Sequence, residues 1–149
     1  MLSKKTKYGL KALLLLARES HRGPVLVSEL AERERIPKKF LELILLELKH
    51  HGILQSKKGK GGGYFLGRPP SDISLGAIIR LLDGPLAAIP CVSQTAYMKC
   101  AECVDEKSCG VRLVMKEVRD ATANILDGVT LEQVNEDVDF QLLSNPQRG

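Results

Sequence analysis

A proline between two amphipathic patterns places the strongest constraint on what this chain can fold into. Residues 28–33 favour a short helix, with Ser28 as its N-cap and acidic side chains in its first turn. Because Pro37 is tolerated in the first turn of a helix but not in its interior, a second helix is predicted over residues 37–50. Its apolar side chains recur on one face and must be buried: Phe40, Leu41, Ile44, Leu45 and Leu48. A short helix, a tight turn and a longer helix have the proportions of a helix-turn-helix.

A hairpin tipped only by lysine and glycine follows the second helix. Gly52 ends that helix, and residues 53–56 and 64–66 favour strands. In the connecting residues 57–63, glycine lets the backbone approach another surface closely, and lysine indicates that this surface is a phosphate chain. A nucleotide-binding loop is excluded, because the segment lacks the GxxxxGK[ST] spacing and no helix begins directly after it. We therefore interpret the hairpin as the wing of a DNA-binding winged helix.

The charge is divided unevenly along the chain. Residues 1–68 contain 15 Lys and Arg against six Glu, a net charge of +9, whereas residues 69–149 have a net charge of −5. A first helix is predicted over residues 5–20, and lysines crowd its N-terminal end: Lys4, Lys5, Lys7 and Lys11. A basic half suits a polyanion, because phosphates that are neutralised release their counterions. Charge alone is equally compatible with a solvated basic face. The interpretation as a DNA-binding protein therefore depends on the sequence motifs.

The second half of the chain predicts a long helix after a cysteine-rich loop. A helix over residues 74–83 precedes the loop, and a helix over residues 109–126 follows it with a continuous apolar stripe: Val111, Val114, Met115, Val118, Thr122 and Ile125. That stripe either packs on its own domain or pairs with its copy in a homodimer. We favour the homodimer, because regulators of this type usually read two half-sites.

These elements predict a mainly α fold with a small β-hairpin wing, in which a winged helix-turn-helix is followed by a long dimerisation helix. Thr130 is expected to cap a last short turn that ends near Val134. The predicted division of the chain is a DNA-binding domain (1–84), a cysteine-rich sensor loop (85–108), a dimerisation helix with a short turn (109–134) and a flexible tail (135–149).

No secretion signal is visible, because the apolar stretch 13–16 is short and has charged neighbours. The stretch is also too short to cross a bilayer, so no membrane partner is expected. We expect the chain to work in the cytoplasm, where cysteines are thiols or metal ligands more often than disulfides.

Four cysteines lie close together in this second half, at Cys91, Cys100, Cys103 and Cys109. Nearby Lys99, Lys107 and Arg112, together with the start of a helix at Cys109, favour thiolates. Several thiolates in one loop suit an iron-sulfur cluster or a tetrahedral zinc ion. Thiols that bind no metal are the remaining alternative.

The sequence resembles the family of winged-helix regulators that includes IscR, NsrR, RirA and CymR. The resemblance covers about residues 2–134. It is carried by the motif from Lys7 to Ala12, the second helix of the helix-turn-helix, the triple glycine followed by Tyr64, the cysteines, and the motif from Val129 to Glu132. It implies a homodimer that reads a palindromic operator in double-stranded DNA, usually as a repressor.

The resemblance also implies roles for individual residues. Lys39, Phe40 and Glu42 would face base edges and the adjacent backbone, and Lys58 would enter the minor groove. Core packing is an equal alternative for Phe40, and Glu42 is equally compatible with a solvated position. The full set of candidate DNA contacts is Lys4, Lys5, Lys7, Ser28, Lys38, Lys39, Phe40, Glu42, Lys57, Lys58 and Lys60.

For the cysteines, the resemblance implies a [2Fe-2S] cluster held by Cys91, Cys103 and Cys109. The fourth ligand departs from the family pattern, because Arg112 and Lys7 stand where relatives have His and Asp, and both side chains are normally protonated. Cys100 is the obvious substitute, and the three histidines, His21, His50 and His51, are weaker alternatives. A structural zinc ion and a metal-free thiol switch remain open, since family members without clusters exist.

In either sensor version, loss of the cluster or oxidation would move the helix that begins at Cys109 and change the spacing of the two recognition helices. An enzyme is not expected, because the sequence shows neither a nucleophile with its base nor a cofactor loop. A winged helix that scaffolds proteins would keep the fold but would not need the Lys-Gly wing or the basic half.

Overall fold

The computed structural model describes residues 2–144, which contain six α helices and one two-stranded hairpin. The elements are α1 (Lys4–Arg18), α2 (Val27–Glu34), α3 (Lys38–His50), β1 (Leu54–Lys57), β2 (Gly63–Leu66), α4 (Leu75–Asp83), α5 (Gly110–Asp127) and α6 (Leu131–Ser144). The mainly α fold with a β-hairpin wing is thereby confirmed. Within the described residues, every helix is too short or too polar to cross a membrane.

The hydrophobic core lies where α1, α2, α3 and α4 meet the base of the hairpin. Helix α3 contributes the predicted stripe, except for Phe40: Leu41, Ile44, Leu45 and Leu48 are each at most 1% exposed. Leu131, the first residue of α6, is also fully buried in this core. Because burial of such a side chain stabilises the fold by roughly 1.5–3 kcal/mol, these contacts fix how α3 is held.

The turn between α2 and α3 differs in detail from the expectation. Arg35 ends α2 in the left-handed conformation, with φ 55°, and the N–H of Ile36 donates to the Ala31 carbonyl at 2.9 Å. The prediction of Ser28 as the N-cap is wrong, because α2 begins at Val27 and the preceding Leu26 makes no side-chain capping bond. The carbonyl of Leu26 already accepts from Leu30 N–H at 3.1 Å, so Ser28 falls inside the first turn.

The wing is anchored to the helical core by a third extended segment. Leu54 pairs with Leu66 and Lys57 with Gly63 in the antiparallel hairpin. Val25, before α2, exchanges two backbone hydrogen bonds with Tyr64, at 2.9 and 2.8 Å. This contact ties β2 to the helix-turn-helix and leaves the tip of the wing free.

The C-terminal half is tied back to α4 at two places. Backbone hydrogen bonds join Leu75 N–H to the Val129 carbonyl and Leu131 N–H to the Ile73 carbonyl, each at 3.0 Å. Arg80 of α4 donates two hydrogen bonds to the Asp127 carboxylate, at 2.6 and 2.8 Å, which lowers the pKa of this carboxyl group. The end of α5 is therefore held firmly against the DNA-binding domain.

Helix α6 corrects the prediction for the end of the chain. Thr130 caps it as expected, since its Oγ1 accepts from Gln133 N–H at 3.2 Å. The helix does not end near Val134 but continues to Ser144. The prediction of a flexible tail is therefore wrong for residues 135–144. Tertiary contacts hold it in place: Asn135 donates to the Leu14 carbonyl at 3.1 Å, and Asp139 pairs with Arg18 at 2.9 Å. The rest of the predicted tail, residues 145–149, lies outside the described residues.

The Val25 contact generates a prediction about Gly63. A Cβ atom at Gly63 would lie 2.3 Å from the Val25 carbonyl oxygen, and φ is 135° at this residue. Gly63→Ala should therefore lower the free energy of unfolding by more than about 2 kcal/mol, measured by urea denaturation.

Gly61→Ala is the matched control, since φ is also positive at Gly61 (73°) but open space surrounds it. Gly61→Ala should lower the free energy of unfolding by about 1 kcal/mol. Equal losses for the two variants would contradict the importance of the contact between the wing and Val25.

Candidate nucleic-acid interface and cysteine cavity

The outer face of α3 points away from the core. With 100° between successive residues, the four buried side chains of α3 occupy one side of the helix. Four residues lie on the opposite side and all are exposed: Lys39, Leu43, Leu46 and His50. Lys38 and Glu42 are exposed beside this face. A surface of this kind on the second helix of a helix-turn-helix is the part that can enter a major groove.

One flank of α3 is committed to contacts with α1. The rings of Phe40 and Tyr8 meet edge to face, with 5.6 Å between their centroids, and Phe40 is 37% exposed. Lys5 pairs with Glu47 at 2.7 Å between Nζ and Oε2. Phe40 and Lys5 are thus partly engaged inside the domain, and neither is as free to reach DNA as Lys39.

Most of the predicted basic contacts are free to meet an anion. Seven of the lysines predicted to contact DNA are exposed and form no ion pair with the described residues: Lys4, Lys7, Lys38, Lys39, Lys57, Lys58 and Lys60. Three of them are in the wing, two begin α3 and two lie in α1. Ser28 is exposed in the first turn of α2.

Leu43 and Leu46 are surface residues that the sequence reasoning missed. Leu43 is 66% exposed and Leu46 is 42% exposed, in the middle of the outer face of α3. The helical period that identified the buried stripe also places these two leucines on the opposite side of the helix. The spacing of Leu43 and Leu46 in the sequence is therefore the signal that identifies them as exposed.

All four cysteines line one cavity of about 670 Å³ between the loop after α4 and the start of α5. Cys91 is 8% exposed in a short helical turn, Pro90–Val92, that packs against α5. Cys103 and Cys109 are partly buried, and Cys100 is exposed. The histidines proposed as alternative ligands do not line this cavity.

Two of the thiols have contrasting polar neighbours. Cys109 is the N-cap of α5, where its Sγ accepts from Arg112 N–H at 3.5 Å. Cys100 has the opposite environment, because a hydrogen bond to Glu102 raises the pKa of its thiol. The neighbouring Glu102 therefore disfavours a thiolate at Cys100.

Arg112 occupies the position at which, by the resemblance, some relatives place a histidine ligand. It lines the cavity, and its Nε atom is buried without a hydrogen-bond partner in the described part of the chain. Guanidinium cannot serve as an ordinary metal ligand, but it places a positive charge in the cavity that the four cysteines line.

The donor set fits the cluster that the resemblance implies in its chemistry but not in its spacing. Four thiol sulfur atoms around one cavity match the soft ligands that an iron-sulfur cluster or zinc requires. Among residues 2–144, however, no three Cys, His, Asp or Glu side chains lie close enough together to hold a metal ion. The chemistry of the donors fits, and the loop has to contract for three of them to bind one group.

Comparisons with known proteins agree with this architecture. Residues 2–137 match the Rrf2 family, described as "Iron-dependent Transcriptional regulator". An rrf2-like HTH-type transcriptional regulator of Rhodobacter capsulatus is 42% identical over 137 residues, which cover 90% of this chain and 91% of that protein.

Two solved structures have a similar fold. The global cysteine regulator CymR of B. subtilis superposes with a TM-score of 0.77 at 29% identity, covering 91% of this chain and 96% of that one. IscR of T. potens superposes with a TM-score of 0.74 at 28% identity, covering 93% and 88%. These relatives are transcriptional regulators and not enzymes, as the sequence indicated. The chain belongs to the Rrf2 family of DNA-binding transcriptional regulators.

Proposed function

We propose that the chain acts in the cytoplasm as a homodimer that reads a palindromic operator, as a repressor, and that its cysteine loop senses iron-sulfur, iron, redox or nitrosative status. The observation that carries the proposal is the position of Cys109. This cysteine lines the cavity shared by all four cysteines and is also the N-cap of α5. A change at the thiols therefore acts directly on the helix that we assign to dimerisation.

DNA binding is assigned to α3 and the wing. Lys39 and Glu42 on α3 are free to meet base edges or phosphates, and Lys58 at the tip of the wing is free to enter the minor groove. Lys4, Lys7, Lys38, Lys57 and Lys60 would add phosphate contacts, with Ser28 as a neutral donor from α2. Phe40 has a smaller role in this proposal, because it packs on Tyr8.

Dimerisation is assigned to the apolar face of α5. Four residues of the predicted stripe are between 46% and 66% exposed: Val111, Val114, Val118 and Ile125. The other two residues of the stripe, Met115 and Thr122, are partly buried, and the contact of α5 with its own domain includes the buried Ala123 on another side of the helix. Most of the apolar surface of the stripe is therefore left uncovered by its own domain. A second copy of the chain that covers the stripe with its own α5 would bury these side chains and hold two copies of α3 at a fixed spacing.

The sensor is assigned to Cys91, Cys103 and Cys109 with a [2Fe-2S] cluster, and Cys100 is the candidate fourth ligand. Such a cluster supplies reversible electron transfer and can be lost on oxidation or nitrosylation. The guanidinium of Arg112 would balance the negative charge of several thiolates in the cavity. Cys100 is the least favoured of the four cysteines as a cluster ligand, because it is exposed and its interaction with Glu102 raises the pKa of its thiol. A structural zinc ion and a metal-free thiol switch use the same residues.

A continuous set of contacts joins the cavity to α3. The turn Pro90–Val92 packs on α5, whose end is held to α4 by the Arg80–Asp127 pair. Leu82 of α4 packs in turn against α1 beside Ile44 of α3. A small movement at the start of α5 would thus alter the spacing of the recognition helices without unfolding either domain.

The DNA-binding part of the proposal is tested at Lys58. Each lysine charge held against the duplex, in a groove or on a phosphate, displaces about one condensed counterion and so adds about one to the slope of log affinity against log salt concentration. Lys58→Ala should therefore reduce the magnitude of that slope by about one for each protomer. Binding is measured by fluorescence anisotropy on an operator selected from random DNA.

Lys116→Ala is the matched control, since Lys116 is exposed on α5 and pairs with Asp120 outside the proposed interface. It should leave the slope unchanged. Equal slopes for wild type, the Lys58 variant and the control would contradict the role of the wing.

The sensor part is tested by anaerobic purification with iron, sulfide and zinc measured per chain. About two irons and two sulfides with thiolate-to-iron absorption are expected. Cys91→Ser should abolish both the bound iron and sulfide and the absorption. Cys100→Ser shows whether the fourth cysteine is needed to hold the cluster. If zinc is found instead, the cluster proposal is wrong and the loop is a structural metal site. If the thiols are reactive and no metal is found, the loop is a thiol switch. Neither result would affect the proposal for DNA binding.

A further inference from the structure

We propose that Leu43 determines part of the operator sequence by contacting the C5-methyl group of a thymine in the major groove. The inference rests on the proposed reading of DNA by α3, and it adds a base contact that the lysines and Glu42 do not supply. It also makes a statement about the operator, which should contain a thymine at one fixed position of each half-site.

The position of Leu43 carries the inference. Leu43 lies one turn after Lys39 on the outer face of α3, and it is 66% exposed although Leu41, Ile44 and Leu45 around it are buried. A leucine there contributes little to the core of its own domain. Single exposed leucines are ordinary on protein surfaces. Leu43 differs because Leu46, three residues later on the same face, extends it into a short apolar strip.

The charged residues around the strip indicate which kind of surface it contacts. Lys38 and Lys39 precede it on the same helix, and the unpaired lysines of the wing belong to the same basic half of the chain. The matching surface must therefore be negatively charged at its edges and present an apolar group at its centre. The major groove of DNA meets both conditions, because phosphates border it and thymine exposes a methyl group in it.

Leu43 is better placed for this contact than Leu46. In a helix-turn-helix, the N-terminal part of the recognition helix reaches the base edges. Leu43 is in the second turn of α3, whereas Leu46 lies almost one turn further along and is less exposed, at 42%. Leu46 therefore provides a matched control of the same residue type on the same face.

Replacement of thymine by uracil isolates the interaction, since uracil lacks only the methyl group. Burial of one methyl group contributes about 0.8 kcal/mol, which corresponds to about fourfold in affinity. The operator is first selected from random DNA with the wild-type homodimer. Each thymine of one half-site is then replaced by uracil in turn, and the affinities of wild type, Leu43→Ala and Leu46→Ala are measured.

The expected result is one thymine at which uracil weakens wild-type binding about fourfold. Leu43→Ala should bind equally well to thymine and uracil at that position, and Leu46→Ala should keep the wild-type difference. Because Leu43 is exposed, its replacement should leave the melting temperature unchanged, which circular dichroism checks.

Three results would overturn the inference while leaving the proposed function intact. The first is specific DNA binding without sensitivity to any thymine methyl group, and the second is the same sensitivity in wild type and Leu43→Ala. If the leucine variant keeps full operator affinity but loses capture of a partner protein, the strip is a protein-docking surface instead. Absence of specific DNA binding by the wild type would overturn the proposed function itself.

Discussion

The close packing at Gly9 is the constraint on which the position of the recognition helix depends. A Cβ atom there would lie 2.7 Å from Leu82 Cδ1 of α4 and 3.3 Å from Ile44 Cγ2 of α3. Glycine allows α1 to approach both helices this closely without displacing either side chain, because real Cβ contacts are essentially never shorter than 3.0 Å. The apolar seam at this junction sets the angle at which α3 presents its outer face.

This packing divides the surface of α3 into parts with different tasks. One side forms the core, one flank contacts α1 through Phe40 and Glu47, and the outer face stays free. The free face lies in the basic half of the chain, whereas the cysteine cavity and α5 lie in the acidic half. Polyanion binding and the proposed sensing are therefore separated, and α4 joins them through Leu82 on one side and Arg80 on the other.

Local patterns were sufficient to predict the order of the elements, because periodicity, caps and glycine-rich turns are properties of short segments. Thr130 as a cap and Pro37 as a helix boundary are examples. The course of α6 beyond residue 134 was not predictable in this way, because its contacts are with residues more than 100 positions earlier, such as Leu14. The direction of the apolar stripe on α5 likewise depends on tertiary packing, so only the structure shows Val118 to be exposed.

The central claim is that two copies of the chain, joined through α5, read one operator. Native mass spectrometry of the full-length protein on its selected operator tests this claim most directly. Two chains are expected on each duplex, and Val118→Glu, which places a charge on the exposed stripe, should reduce this to one chain with much weaker binding. One chain per duplex in the wild type, or an unchanged two-chain complex in the Val118 variant, would contradict it.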